Sequence, residues 1–282
     1  MILAKKSLVI IFQKKSLLIL PFVSSLLILF LLLIVLMPLF KIEAQAWELQ
    51  SISISQYFLF FGIILGFFFV AHFISLFFTL AITASIAGLV NNEHTSVWLG
   101  FKTGLKNFLA IALWALLMGT VGIVIRFLEY WVDSWATFKI AKKSLAELGW
   151  MKATFFVIPI LAFETQNAIT AITKSTMLVK ETWGAPLISK MKISAIIFFA
   201  RSASFIPLLI TVLSGEKKII MLGGIITTFL LISISILHSA SQNCLATMLY
   251  LYASHNKKTL LYFSDDELQS AFQKKNPVKS PK

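Results

Sequence analysis

Charge is what this chain has least of. Asp, Glu, Lys and Arg make up only 13% of its 282 residues, about half the share of an average soluble domain. Cys244 is the single cysteine, which excludes an intramolecular disulfide and a thiolate metal cluster; inside an apolar stretch it reads as a small buried hydrophobe. The 12 acidic residues are scattered, and only Glu164 falls against an apolar run, so a pair of membrane-depth carboxylates is not available. There is no G-x-x-x-x-G-K-[ST] loop, no H-E-x-x-H and no G-x-G-x-x-G, the patterns that place phosphates, zinc or dinucleotides. His72, His94, His238 and His255 have no Cys or acidic partners at ligand spacing, and such partners are what a zinc site needs. The expectation is no enzyme, no metal and no cofactor.

What is present is apolar. Hydrophobic residues reach 58%, with 26 Phe and a mean hydropathy of +0.88. That composition excludes a disordered chain, a collagen, a coiled coil and a disulfide scaffold, and implies a polytopic membrane protein. Six apolar stretches cover 16–40, 57–90, 108–125, 153–163 extending towards Ala171, 193–213 and 219–252. None alternates as a lipid-facing barrel strand would, so each must satisfy its own backbone as a helix. The fold class is all-α: a transmembrane helix bundle of about six spans over 1–253, then a polar cytoplasmic tail over 254–282. The second and sixth stretches are each about 50 Å long as helices, so they tilt, bend or project from a hydrocarbon core about 30 Å thick. Lys5, Lys6, Lys14 and Lys15 precede the first stretch, and Ala44-Gln45-Ala46 after it resembles a signal-peptidase site. The stretch is longer than the roughly 7–15 residues of a signal-peptide core and is read as a retained first span.

The net charge of +13 is read as a topology signal and an attraction to anionic lipids, because the spans would separate any basic surface offered to nucleic acid. With both termini in the cytoplasm, sixteen lysines fall on inner segments and seven on outer ones. Four of those seven sit in the third connection. There, over 126–150, Leu128, Trp131, Trp135, Phe138, Leu145 and Leu148 recur near a 3.6 period, which predicts an amphipathic helix in the outer interface, with Trp131, Trp135 and Trp150 at headgroup depth. In the tail, Ser264-Asp265-Asp266-Glu267 forms a capping box ahead of Leu268, Ala271 and Phe272, with Pro277 beyond; a short docked helix is expected.

Ionisable groups at membrane depth are functional candidates by default. Arg201 lies inside the fifth stretch and Glu164 ends the fourth. Two readings stand for them: a pair that gates a path or holds an anionic headgroup, and a pair that fixes the register of two helices. His72 and His238 form a second candidate pair, extended by Ser239, Ser241, Gln242 and Asn243; a solute path needs such a line, and so does ordinary interhelical hydrogen bonding. Ala81 with Ser85, and Ala84 with Gly88, make a face for close helix approach. Gly62 and Gly66 repeat that spacing and leave a homo-oligomer open.

Two regions echo each other. An inward helix ending in Ala87-Gly88-Leu89 is followed by Trp98-Leu99-Gly100 and Lys106; another, with Ala168, Ala171 and Ser175, by Thr182-Trp183-Gly184 and Lys192. Such an echo suggests two parallel hairpins. The run from Ala153 through Pro159 to Glu164, with Ala171, Ser175 and Lys180-Glu181-Thr182-Trp183-Gly184, resembles the signature of a prokaryotic family of roughly six-helix integral membrane proteins of uncharacterised function. Trp114-Ala115-Leu116 through Gly122 and Arg126, and the tail from Phe263 to Phe272, fit the same pattern. The resemblance implies a multi-pass protein of a bacterial inner membrane, with no family activity to transfer. Pro159 is expected to kink or break the fourth span, and Pro207 to give a second break near Arg201. Two function classes follow: a non-enzymatic membrane component organising lipid or protein partners, or a permease or channel for a small solute.

Overall fold

The computed structural model describes residues 2–49, 53–90, 96–133, 150, 153–164, 167–182 and 194–254. Among these residues all regular structure is helical: α1 (Ile2–Gln13), a 3-10 turn (Lys15–Leu18), α2 (Ile19–Leu49), α3 (Ile54–Val90), α4 (Val97–Lys106), α5 (Phe108–Asp133), α6 (Val157–Phe163), α7 (Ala168–Thr182), α8 (Ser194–Ala203), α9 (Ile206–Leu213) and α10 (Lys217–Ser254). Three helices are long and apolar enough to cross a membrane, over Lys15–Pro38, Ile54–Ile86 and Lys217–Ser254. They become four if α4 and α5, bent by 73° at Asn107, count as one broken span.

Local chemistry sets the ends. Ser53 and Gln56 form a reciprocal capping box: the Gln56 N–H donates to Ser53 Oγ at 3.3 Å, and the Ser53 N–H donates to Gln56 Oε1 at 2.8 Å. Two otherwise orphaned backbone donors are thereby satisfied, so α3 starts three residues before the apolar run at 57. Ser96 caps α4 by accepting from the Leu99 N–H at 3.2 Å. Gly215, at φ +72°, makes the tight turn from α9 into α10, a backbone conformation that glycine adopts without steric cost.

The core lies at one end of the long helices. It gathers Leu17 and Leu20 where α2 begins, Leu80 to Ile86 near the end of α3, and Cys244 to Tyr252 near the end of α10. Since α3 and α10 bring their C-terminal parts to the place where α2 starts, α2 runs antiparallel to both. α1 lies across this end, where its Ser7 shares a buried 2.7 Å hydrogen bond with Ser241 of α10. α4 packs along α3 through Gly100, where a Cβ would run into the Ala81 carbonyl and Ser85 Oγ, and through Gly104, where it would come within 2.9 Å of the Phe77 ring. The Ala81–Ser85 face is therefore the bed of α4. Gly62 and Gly66 have open space around them. Away from the packed end, Phe30 and Met37 of α2, Phe58 and Phe68 of α3, and Met221 and Phe229 of α10 are exposed.

The fourth apolar stretch is not one rod. Pro159 stands third in α6, in the first turn, where its missing N–H costs no helical bond, so it begins a helix rather than interrupting one. α6 has 7 residues, about 10 Å, and ends at Glu164. Asn167 then caps α7 by accepting from the N–H groups of Ile169 at 2.9 Å and Thr170 at 3.2 Å. α7 folds back on α6, and Ser175 Oγ accepts from the Phe156 N–H at 3.1 Å. In the fifth stretch the break expected near Pro207 occurs at Ser204 and Phe205, between α8 and α9. α5 continues through Arg126 to Asp133; the rest of the expected interfacial helix, 134–149, lies outside the described residues. So do the Trp183-Gly184 segment and the tail helix beyond 254. Trp150 stacks on buried Trp114, ring centroids 6.3 Å apart, and thus packs on the bundle.

Candidate functional site

Helical spacing and lipid-compatible residues build a polar cleft where α2, α3 and α10 meet. Pro21, Ser24, Ser25 and Ile28 come from α2, Ser75, Phe78, Thr79 and Ile82 from α3, and Ser235, Ile236, Ser239 and Asn243 from α10. Within each helix these positions recur at three- or four-residue intervals, which puts them on one face. The cleft has a volume of about 180 Å³, several times the roughly 30 Å³ one water takes up in the liquid. Among the described residues no charged side chain lines it.

Its hydroxyls fall into two groups. Ser25 and Thr79 donate to the carbonyls of Pro21 and Ser75, each at 2.8 Å, which leaves their oxygens as acceptors. Ser24, Ser75 and Ser235 have no protein partner among the described residues, so each keeps both a donor and acceptor lone pairs. Ser24 is buried, at 7% exposure, and its hydroxyl has no partner among the described residues. Asn243 Nδ2 donates weakly to Ser239 Oγ at 3.5 Å. The lining thus suits an uncharged group that both donates and accepts.

The four residues singled out in the sequence do not form one site. Glu164 makes its ion pair with Lys174, Nζ to Oε2 2.8 Å, and accepts a short hydrogen bond from the Tyr250 hydroxyl; Arg201 is not its partner. The Tyr250 ring is held by Phe163, stacked at 5.7 Å, and by Phe156 at 5.9 Å, so Glu164 fastens the α6–α7 turn to α10. Both readings of Glu164 were of a pair with Arg201, which the described residues do not form. Arg201 is exposed on α8, within Coulomb range of His238 on α10. His72 and His238 do not bond each other: His72 Nε2 and His238 Nδ1 are buried without a hydrogen-bond partner among the described residues. His72 shares the α3 face of Ser75 and Thr79 but is not among the lining residues. Of the polar line proposed beyond His238, only Ser239 and Asn243 reach the cleft; Ser241 turns to Ser7. Among the described residues no three His, Cys, Asp or Glu side chains gather as a metal site would require.

Sequence reasoning missed Ser24, Ser25, Ser75, Thr79 and Ser235. The signal was there as hydroxyl residues four apart inside apolar runs, Ser75 with Thr79 and Ser235 with Ser239. Such pairs are frequent in membrane helices, and only the packing of three helices makes one face of them.

These features define a class: an all-helical chain with three to four helices of membrane-crossing length and a polar cleft between them. The chain belongs to a family of unknown function (DUF6159), whose model matches residues 56–260. No curated protein and no solved structure matches it.

Proposed function

We propose that the chain is a multi-pass protein of a bacterial inner membrane, with six crossings and both termini in the cytoplasm. α2, α3 and α10 supply three crossings, the bent α4–α5 pair a fourth and α8–α9 a fifth. The sixth crossing is proposed from the count of apolar stretches in the sequence alone. The protein's work, on this reading, is to hold lipid or protein partners rather than to catalyse a reaction.

One observation supports this above the others. Lys14, Lys15, Lys102 and Lys106 are exposed around the packed end, while the helix parts beyond it expose large apolar side chains on successive turns. A lysine near an anionic surface gains about 1 kcal/mol, so a ring of them gathers anionic headgroups, and the bare apolar faces remain for lipid or for helices of a partner or second copy. The test is the lipid extracted with the purified full-length protein. Changing Lys14, Lys15, Lys102 and Lys106 to Gln is expected to lower the anionic share towards that of the bulk membrane; an unchanged share overturns the reading.

The hydroxyl-lined cleft favours a second reading, a permease or channel for a small uncharged solute. Solute flux into liposomes holding the purified chain, absent from empty liposomes, is its expected signature.

A further inference from the structure

We propose that the cleft between α2, α3 and α10 is a binding site for an uncharged hydroxyl-bearing group about the size of glycerol, delivered from the bilayer as part of a neutral lipid. This rests on reading those three helices as membrane-spanning.

Depth is the first argument. Ser75 stands 21 residues into α3 and Ser235 stands 18 residues into α10, about 30 Å along helices that are each more than 50 Å long. Hydroxyls placed there are beyond the reach of bulk water, and a polar group left unbonded in hydrocarbon is costly. Among the described residues Ser24, Ser75 and Ser235 nevertheless have no partner, whereas Ser25 and Thr79 in the same wall are bonded to their own backbone.

Chemistry is the second argument. A phosphate or carboxylate only accepts hydrogen bonds and would need a cation; an ammonium would need a carboxylate. The cleft offers neither. A hydroxyl both donates and accepts, and so does this wall: three serines that keep their protons, two oxygens that act only as acceptors, and the Asn243 amide. Phe78, Ile82, Ile28 and Ile236 stand among them and suit the carbon skeleton of such a group. Access is the third argument. Ser75 and Ser235 are exposed while Ser24 is buried, so the cleft opens sideways, midway along α3 and α10 and beside the start of α2, on the surface the helices turn towards acyl chains.

The test uses the full-length chain in phosphatidylcholine nanodiscs with a photoreactive dioleoylglycerol analogue as probe, crosslinks being mapped by mass spectrometry. Labelling is expected at cleft residues. It should be displaced by dioleoylglycerol and not by its O-methyl ether, which cannot donate. Displacement by free glycerol instead would assign the same site to a soluble polyol. Changing Ser24, Ser75 and Ser235 together to Ala should weaken labelling about tenfold to twentyfold, as three interhelix-strength hydrogen bonds imply. Ser75→Ala alone, at an exposed position, gives a smaller loss of the same sign and covers the case in which the triple variant does not fold. Equal displacement by the ether, or labelling indifferent to both variants, would show that only water fills the cleft and overturn the proposal. Release of the wild-type chain by alkaline carbonate would instead overturn the membrane reading beneath it.

Discussion

At the scale of single residues, two glycines with the same spacing have opposite consequences. Gly100→Ala drives a methyl into the Ala81 carbonyl and Ser85 Oγ; backbone cannot give way as a flexible side chain would. Overpacking of this kind costs about 1–3 kcal/mol, so the thermal midpoint in detergent should fall. Gly62 meets nothing within 4 Å, and Gly62→Ala should raise the midpoint, since glycine inside a helix costs roughly 0.5–1 kcal/mol relative to alanine. The contacts of Glu164 separate in the same way. Tyr250→Phe keeps the ring stack and loses a bond from a buried hydroxyl to a carboxylate, a cost of about 1.5–3 kcal/mol. Lys174→Gln removes an ion pair whose side chains are 48% and 34% exposed, so less than about 1 kcal/mol should follow. Equal losses for the two variants would show that the Lys174 ion pair, which ties Glu164 to α7, holds it as firmly as the Tyr250 bond to α10 does. The sequence marked Glu164 as the ionisable residue that closes the fourth apolar stretch, and it stands at the end of α6. Its partner was not legible, because Tyr250 is 86 positions away and Arg201 was the more conspicuous charge.

At the scale of elements, helix existence was readable and helix continuity only in part: Pro207 marked the break between α8 and α9, and nothing marked the turn after Glu164. The second and sixth stretches became α3 and α10 almost as delimited, because apolar runs this long without strand-like alternation read as helices. Over 153–171 the apolar pattern is just as dense, yet Glu164 and the Asn167 cap end one helix and begin another. A hydropathy profile averages over such a turn. The capping box at Ser53 and Gln56 has its own consequence: Ser53→Ala should cost about 0.5–2 kcal/mol. Amide exchange should accelerate over the first turn of α3, while amides near Ala81 should keep their protection. Faster exchange along the whole helix would instead show that α3 is not anchored by its packing on α4.

At the scale of the whole molecule, the packed end and the Gly215 turn lie on opposite membrane faces in the proposed topology. Cys244 is wholly buried, so the native chain should stay unlabelled by a membrane-impermeant maleimide and gives a clean background. In intact spheroplasts Glu216→Cys should label and Lys106→Cys should not; lysis should expose the second. The reverse pattern would invert the orientation, and labelling of both in intact cells would remove the crossing between them.

The sequence by itself determined that the described residues are helical and that several helices are long and apolar enough to cross a membrane. Scarce charge and long apolar runs leave helices as the arrangement that satisfies every backbone group, and periodicity marked the Ala81–Ser85 face before its neighbour α4 was known. Tertiary structure alone decided which polar groups meet. Those contacts depend on the rotation of each helix about its axis and on where the chain turns back. A shift of one residue rotates a side chain by about 100°, far more than composition can specify. For that reason the paired candidates Glu164 with Arg201 and His72 with His238 came apart, while serines that looked like ordinary packing residues came together in one cleft.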